Sequence, residues 1–242
     1  MGFGSIIELF IQKVKTIYIQ FYFTFFFSSI SMTLLIPFIS TLDQSNLQAA
    51  SEALAQLEPN LIGNNNWADQ YPETPKVQFR IAHNNKEIFL RFDVEEQYTL
   101  ARVTEDNGEI WTDSTCEFFV SFDELGYYNL EMNCIGRCLI GFGKVLAEQV
   151  RGKTDKIVRL PSLGTEPFEE KVGDNKWTLV YAVPASVFWK HSITEFHGKK
   201  ARANFYKCGD NLTKPHFLSW KPIKTPTPAF HVPEFFGQIE FE

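Results

Sequence analysis

Period-two alternation of apolar and polar side chains is the property that most restricts how this 242-residue chain can fold. In 77–81, Val77, Phe79 and Ile81 alternate with Gln78 and Arg80, and in 87–94 Ile88, Leu90, Phe92 and Val94 recur at every second position. Successive strand side chains point to opposite faces, so each segment presents one apolar face that a second layer has to cover. Asn84, Asn85 and Lys86 between them are turn formers, which predicts a β-hairpin. Further strand signals lie at 115–122, 128–134, 157–160, 177–183, 201–208, 216–220 and 238–241, with turn residues between them and almost no helical periodicity. One helical turn is expected within 184–191. The predicted fold class is all-β, a two-sheet antiparallel β-sandwich.

The most informative stretch runs from Asp106 to Asn133. Cys116, Phe118, Val120 and Phe122 form one face of a strand, and Tyr128, Leu130, Met132 and Cys134 form the matching face of the return strand. Setting core against core puts Phe122 opposite Tyr128, and therefore Glu117 opposite Asn133 and Phe119 opposite Glu131. Glu117 and Glu131 then sit on a diagonal, roughly 7–8 Å apart at the backbone. Their face, shared with Asn129 and Asn133, lies beside Trp111. Carboxylates and amides next to an aromatic ring suit a sugar, whose CH face stacks on the ring while its hydroxyls bond the polar groups. Plainer roles exist for both leading residues: Trp111 as a cap on the sandwich edge, Glu117 as an ordinary solvated outward residue. Phe119 on the same face argues for partial cover. Arg202 and Asn204 share one face of 201–208 and either extend the site or pair with Glu131.

A formal net charge of −6 lacks the basic footprint that phosphate backbones require, so no nucleic-acid partner is expected. Four cysteines, Cys116, Cys134, Cys138 and Cys208, form no Cys-x-x-Cys pair and are too scattered for a disulfide scaffold. Cys116 and Cys134 fall on core-facing positions as small hydrophobes. The histidines show no metal-ligand spacing, and His231, next to Phe230, is the one expected near a ligand. No cofactor is expected. A structural calcium at Asp106, Asn107 and Asp113 is the alternative to the turn that their spacing favours.

Residues 1–44 differ in kind from the rest. Lys13 and Lys15 precede an apolar run from Ile17 to Ile39 that Gln20 and small hydroxyl residues interrupt. Three readings stay open: a membrane anchor spanning 17–39, a signal peptide with a long apolar region, or an early start to the reading frame. The first two place the protein in the periplasm, outside the cell or on a membrane, and the third in the cytoplasm. Residues 45–59 are expected to be a linker, with a short helix capped by Ser45 or Asn46 as its only structure, and 60–242 to be the folded domain.

Five strings in order, WTDSTCEFFVSFDE, GYYNLEMNCIG, RANFYKCGD, PHFLSW and PAFHVPEFFGQIEF, resemble family 9 carbohydrate-binding modules in the stand-alone form of the Bacteroidetes. The resemblance spans residue 60 to the carboxyl end. It implies a DOMON-like sandwich of jelly-roll or immunoglobulin-like architecture that holds the end of a saccharide between two aromatic rings. Residue by residue, it puts the first aromatic on Trp111, the sugar-binding carboxylate on Glu117 and the second aromatic on Phe230, where family members carry Trp. Asn133 matches a family Asn, while Glu131 stands where an Arg is usual. The implied ligand set is Trp111, Glu117, Glu131, Asn133 and Phe230, with His231, Asn204 and Arg202 beside them.

The expected function is non-catalytic carbohydrate binding in glycan capture or catabolism. One alternative is a glycoside hydrolase using Glu117 and Glu131, whose diagonal spacing falls in the range of about 6.5–9.5 Å for inverting enzymes. Two carboxylates alone are weak support for it. A haem-binding electron carrier ranks last, because only three Met are present and Met132 lies on the core face.

Overall fold

The computed structural model describes residues 33–242. These build two facing sheets. The larger has nine strands, in the order β1 (Leu34–Ile36), β14 (Gly237–Phe241), β12 (Lys200–Cys208), β6 (Thr115–Asp123), β7 (Gly126–Asn133), β8 (Cys138–Gly143) and β9 (Val150–Arg151). On one end of β12, β13 (Phe217–Ser219) also pairs, and carries β3 (Asn64–Asn65) on its other side. The smaller sheet runs β10 (Val158–Pro161), β11 (Phe168–Pro184), β5 (Glu87–Ala101), β4 (Lys76–His83) and β2 (Asn60–Leu61). The architecture is the expected sandwich, antiparallel except that β1 lies parallel to β14.

The core forms where the inward faces meet. Phe79 of β4 stacks on Phe205 of β12 with ring centroids 3.7 Å apart, and Phe205 in turn stacks on Phe118 of β6 at 5.0 Å. All the alternating residues of the first hairpin are inside, as are Cys116, Cys134 and Met132. At one end of the sandwich the contact is ionic. Lys207 of β12 reaches across to Glu96 of β5 at 2.9 Å, with both side chains buried. Trp177 Nε1 donates to the other Glu96 oxygen at 2.7 Å, and Lys207 Nζ also meets His216 Nε2 at 2.8 Å. Burial and the lysine charge push His216 well below its ordinary range, so it accepts that bond as a neutral ring.

Two expectations about the amino-terminal part are corrected. The end of the apolar run is not part of an anchor: Leu34, Leu35 and Ile36 pair with Ile239, Glu240 and Phe241. Beyond them His83 N donates to Pro37 O and Ile39 N to His83 O, so this short segment ties β14 of one sheet to β4 of the other. The remainder of the run lies outside the described residues. Residues 45–59 are not a linker either. Asn46 accepts from Ala49 N at 3.1 Å and caps a helix α1 (Leu47–Ala55). Leu47, Ala50 and Leu54 cover Ala82, Phe89, Val180 and Ala182 on the outer face of the smaller sheet. The stripe is thin because Ala50 and Ser51 make up half of it, and Arg91 fixes it further by donating to Ser51 O and Oγ. Among the described residues no helix is long and apolar enough to cross a membrane.

The hairpin β6–β7 has a different register from the expected one. Glu117 is directly opposite Glu131, Phe119 opposite Asn129, Thr115 opposite Asn133 and Val120 opposite Tyr128. A bulge between Val120 and Asp123 takes Phe122 out of the ladder. The Ser121 hydroxyl holds it, 2.8 Å from Asp123 O and 2.9 Å from Gly126 O. Gly126, at φ +149°, closes the two-residue turn where an added Cβ would meet Gly143 O at 2.7 Å. The bulge and the tight turn together slide the pairing by two residues. Two is the side-chain period, so every residue keeps its predicted face while gaining a new partner.

Candidate ligand-binding cavity

The outer face of the larger sheet is covered in its own right. Phe119, Tyr127 and Tyr206 lie on it, and Trp67, Ile223 and Phe236 from the flanking segments close over them in a second apolar cluster. Where this cover stops, a cavity of about 380 Å³ opens. Glu117, Glu131 and Cys208, all nearly fully buried, form its deep end. Trp111, Asp210, Arg151, Leu146, Phe217, Pro228, Ala229, Phe230 and His231 make its walls and rim.

Each wall is fixed from the backbone up. Trp111 sits in the 3-10 turn Ile110–Thr112, which the loop after β12 grips through Asp210 N to Trp111 O at 3.2 Å and Asn211 N to Thr112 O at 3.1 Å. Phe230 stacks on Tyr206 with ring centroids 4.2 Å apart and planes 9° apart, while the Tyr206 hydroxyl donates to Phe230 O at 3.1 Å. One ring face is thus fixed against the sheet. His231 lies 2.8 Å from the Tyr127 hydroxyl, and its ring packs on Phe119.

The deep end is electrostatically unusual. Burial raises the Glu131 carboxyl to about 7, against the opposing pull of the Asn129 amide, which donates to Oε1 at 2.8 Å, and of Arg151. The other oxygen, Oε2, has no protein partner. Glu117 is raised well above the ordinary carboxylate range, first by burial and then by the facing charge of Glu131, although the Cys208 thiol donates to its Oε1 at 3.1 Å. Facing each other in a buried setting, the two carboxyls oppose one another's ionisation. Burial alone lifts Asp210 to about 6. His231 is pushed down to about 4 by burial and then by Arg151, so it is neutral at physiological pH.

Of the eight residues expected at the site, Trp111, Glu117, Glu131, Phe230 and His231 line one cavity. Asn133, Asn204 and Arg202 do not. Asn133 donates to Val103 O and Asp113 Oδ2 and accepts from Arg137 N at 2.8 Å, all within the loops at the end of β7. Asn204 accepts from Lys221 N at 2.9 Å and donates to Lys221 O at 3.2 Å. Arg202 donates to Pro233 O at 3.3 Å. Neither of these two pairs with Glu131; they anchor the segment that carries Phe230 and His231. Cys208 was within reach of sequence reasoning, since it shares a strand face with Asn204. Arg151 comes from the two-residue strand β9, too short to show a pattern, and Asp210 from the turn after β12.

The calcium alternative does not fit. Asp106 holds Arg159 at 2.8 Å and accepts from Thr154 and Cys138 N, while Asp113 accepts from Arg102 N, Val103 N and Asn133. Asn107 Oδ1 accepts from Ile140 N. These oxygens already have protein donors, and among the described residues no group of three His, Cys, Asp or Glu is arranged to hold a metal ion. Met132 lies in the core between the sheets, away from the cavity.

A sandwich with an aromatic-walled, acid-floored cavity on the outer face of one sheet has the build of a small-ligand binding module. Residues 48–241 match the family model for carbohydrate-binding family 9, and the chain belongs to that family. It is 40% identical to a proposed carbohydrate-binding protein from Bacteroides uniformis, with a TM-score of 0.81 over 87% of this chain and 99% of that one. A family 9 module from Caldicellulosiruptor kristjanssonii shares the fold at 10% identity. Its glucose complex gives a TM-score of 0.54 and its cellotriose complex 0.56, each over 87% of this chain and over 96% and 94% of the respective module. Among curated proteins none matches.

Proposed function

We propose that the protein is a non-catalytic carbohydrate-binding protein that holds a saccharide, by a chain end, between Trp111 and Phe230. The observation that carries this reading is the juxtaposition in one cavity of two aromatic side chains with the buried pair Glu117 and Glu131. A pyranose matches both halves: its CH face lies on a ring, and its hydroxyls donate to carboxylate oxygens in charge-assisted bonds. Arg151, Asp210 and His231 supply further donors and acceptors at the rim. The glucose and cellotriose bound by the Caldicellulosiruptor module support a neutral sugar as the first probe. Glycan capture is the matching role, and the lysine-preceded apolar run supports a place in the cell envelope or outside the cell.

The test is calorimetric titration of the full chain with glucose, cellotriose and a panel of other mono- and oligosaccharides, repeated with Trp111→Ala. Saturable binding that the substitution abolishes is expected; no binding across the panel, or unchanged affinity in the variant, overturns the reading. Incubation with a labelled oligosaccharide is expected to return it uncleaved. The direct cross-strand pairing of Glu117 and Glu131 removes the diagonal spacing on which the inverting hydrolase alternative rested.

A further inference from the structure

The deep end of the cavity holds more carboxyl groups than a neutral sugar can use. Glu117 and Glu131 face each other on adjacent strands, each within a few per cent of complete burial, and Asp210 adds a third carboxyl on the wall. Arg151 is the one cation lining the same cavity, and none of the three carboxylates is in an ion pair among the described residues. Elsewhere the protein treats a buried acid differently: Glu96 has Lys207 at 2.9 Å. Glu131 lines the cavity, and its buried Oε2 has no donor from the protein. An unpaired buried carboxylate is strongly unfavourable unless a proton or a cation neutralises it.

Resting on the carbohydrate reading above, we propose that the cavity selects amino sugars with a free ammonium group over the corresponding neutral sugars, the ammonium lying between Glu117 and Glu131. An ammonium brings three donors and a positive charge to a place that offers acceptors and, once the shared proton leaves, negative charge with no cation of its own. It supplies the missing donor to Glu131 Oε2 and replaces the proton that the facing pair otherwise shares, which passes to solvent. A hydroxyl supplies the bond without the charge. N-acetylation removes the charge and adds bulk, so the acetylated sugar gains nothing. A uronic acid brings a fourth carboxylate and is rejected.

The experiment is titration of the full chain at about pH 6.5 with matched sets from the glucose and galactose series: parent sugar, 2-amino sugar, N-acetylated 2-amino sugar and uronic acid. In at least one series the free amine is expected to bind tenfold or more tighter than the parent, the N-acetyl form no tighter than the parent, and the uronic acid not measurably. In Glu131→Gln the amine-to-parent ratio falls toward one. Parent sugars that bind as tightly as their amines, or a gain that the N-acetyl form shares, overturn the proposal and leave the carbohydrate reading standing. If no sugar of either series or of the wider panel binds, both fall.

Discussion

Replacing Glu131 by Gln should make the protein more stable and a poorer binder, with the gain in stability appearing as the pH rises. The carboxyl is titrated near 4.5 in an unfolded chain and near 7 in its folded setting. The folded state therefore holds the proton more tightly. Below the unfolded value both states are protonated and the site has no effect on stability. Between the two values folding progressively loses stability, and above the folded value the full penalty applies. At 1.36 kcal/mol per unit the penalty comes to about 3 kcal/mol, and because the side chain is almost fully buried no large discount for solvent screening is due. Gln has nearly the same shape, can still accept from Asn129 and offers its own amide to the facing Glu117. The variant should thus be about 3 kcal/mol more stable than wild type at about pH 8, which corresponds to roughly 6–12 °C for a domain of this size, and close to equal at about pH 4. Thermal and urea unfolding of both proteins at the two pH values, without sugar, measures the difference. A variant no more stable at the higher pH, or a gain that does not change with pH, would show that Glu131 is not held out of its ordinary ionisation by burial.

Trp111→Ala should abolish measurable sugar binding while changing unfolding free energy by under about 1.5 kcal/mol, because the half-buried indole lies outside the clusters that form the core. Lys207→Met should destabilise by about 3–5 kcal/mol by leaving Glu96 buried and unpaired. Adding Glu96→Gln should recover most of that loss in urea unfolding, since Trp177 and Thr99 still donate to the remaining oxygen. Gly141→Ala would place a Cβ 2.5 Å from Asn129 Oδ1 and 2.8 Å from Gln149 Oε1. The displaced Asn129 then releases Glu131, and sugar affinity should fall about tenfold at a stability loss of about 1–3 kcal/mol, both readable by calorimetry and thermal unfolding.

Alternation made the faces of the sandwich legible in the sequence, and with them the shared side of Glu117, Phe119, Asn129 and Glu131. It could not give the partner of each residue, because a slide of two positions leaves the pattern unchanged, and only the Ser121 bulge and the Gly126 turn select the observed pairing. β8 escaped notice for a related reason. Its residues Cys138–Gly143 are buried on both faces, between the core and the loop that carries Leu146, so no alternation survives. The helix α1 was masked by the smallness of the side chains on its buried stripe. Two aromatic residues and two acids of the cavity were readable from local strings, whereas Arg151 sits on a strand too short to show a pattern and Asp210 gains its place only where the turn after β12 meets the backbone of Trp111.

The short segment between β1 and His83 bears on what piece of this chain can exist by itself. A fragment beginning at residue 45 would keep the whole cavity and all of the aligned strings, and would still be incomplete. Without Leu34–Ile36 the outer backbone groups of β14 are left bare, and without Pro37 and Ile39 the adjoining end of β4 loses its bonds as well. A bare strand beside an apolar core invites the same strand of another molecule. The natural unit of this protein therefore starts ahead of its helix, and a shorter one would answer the lost strand by recruiting its neighbours.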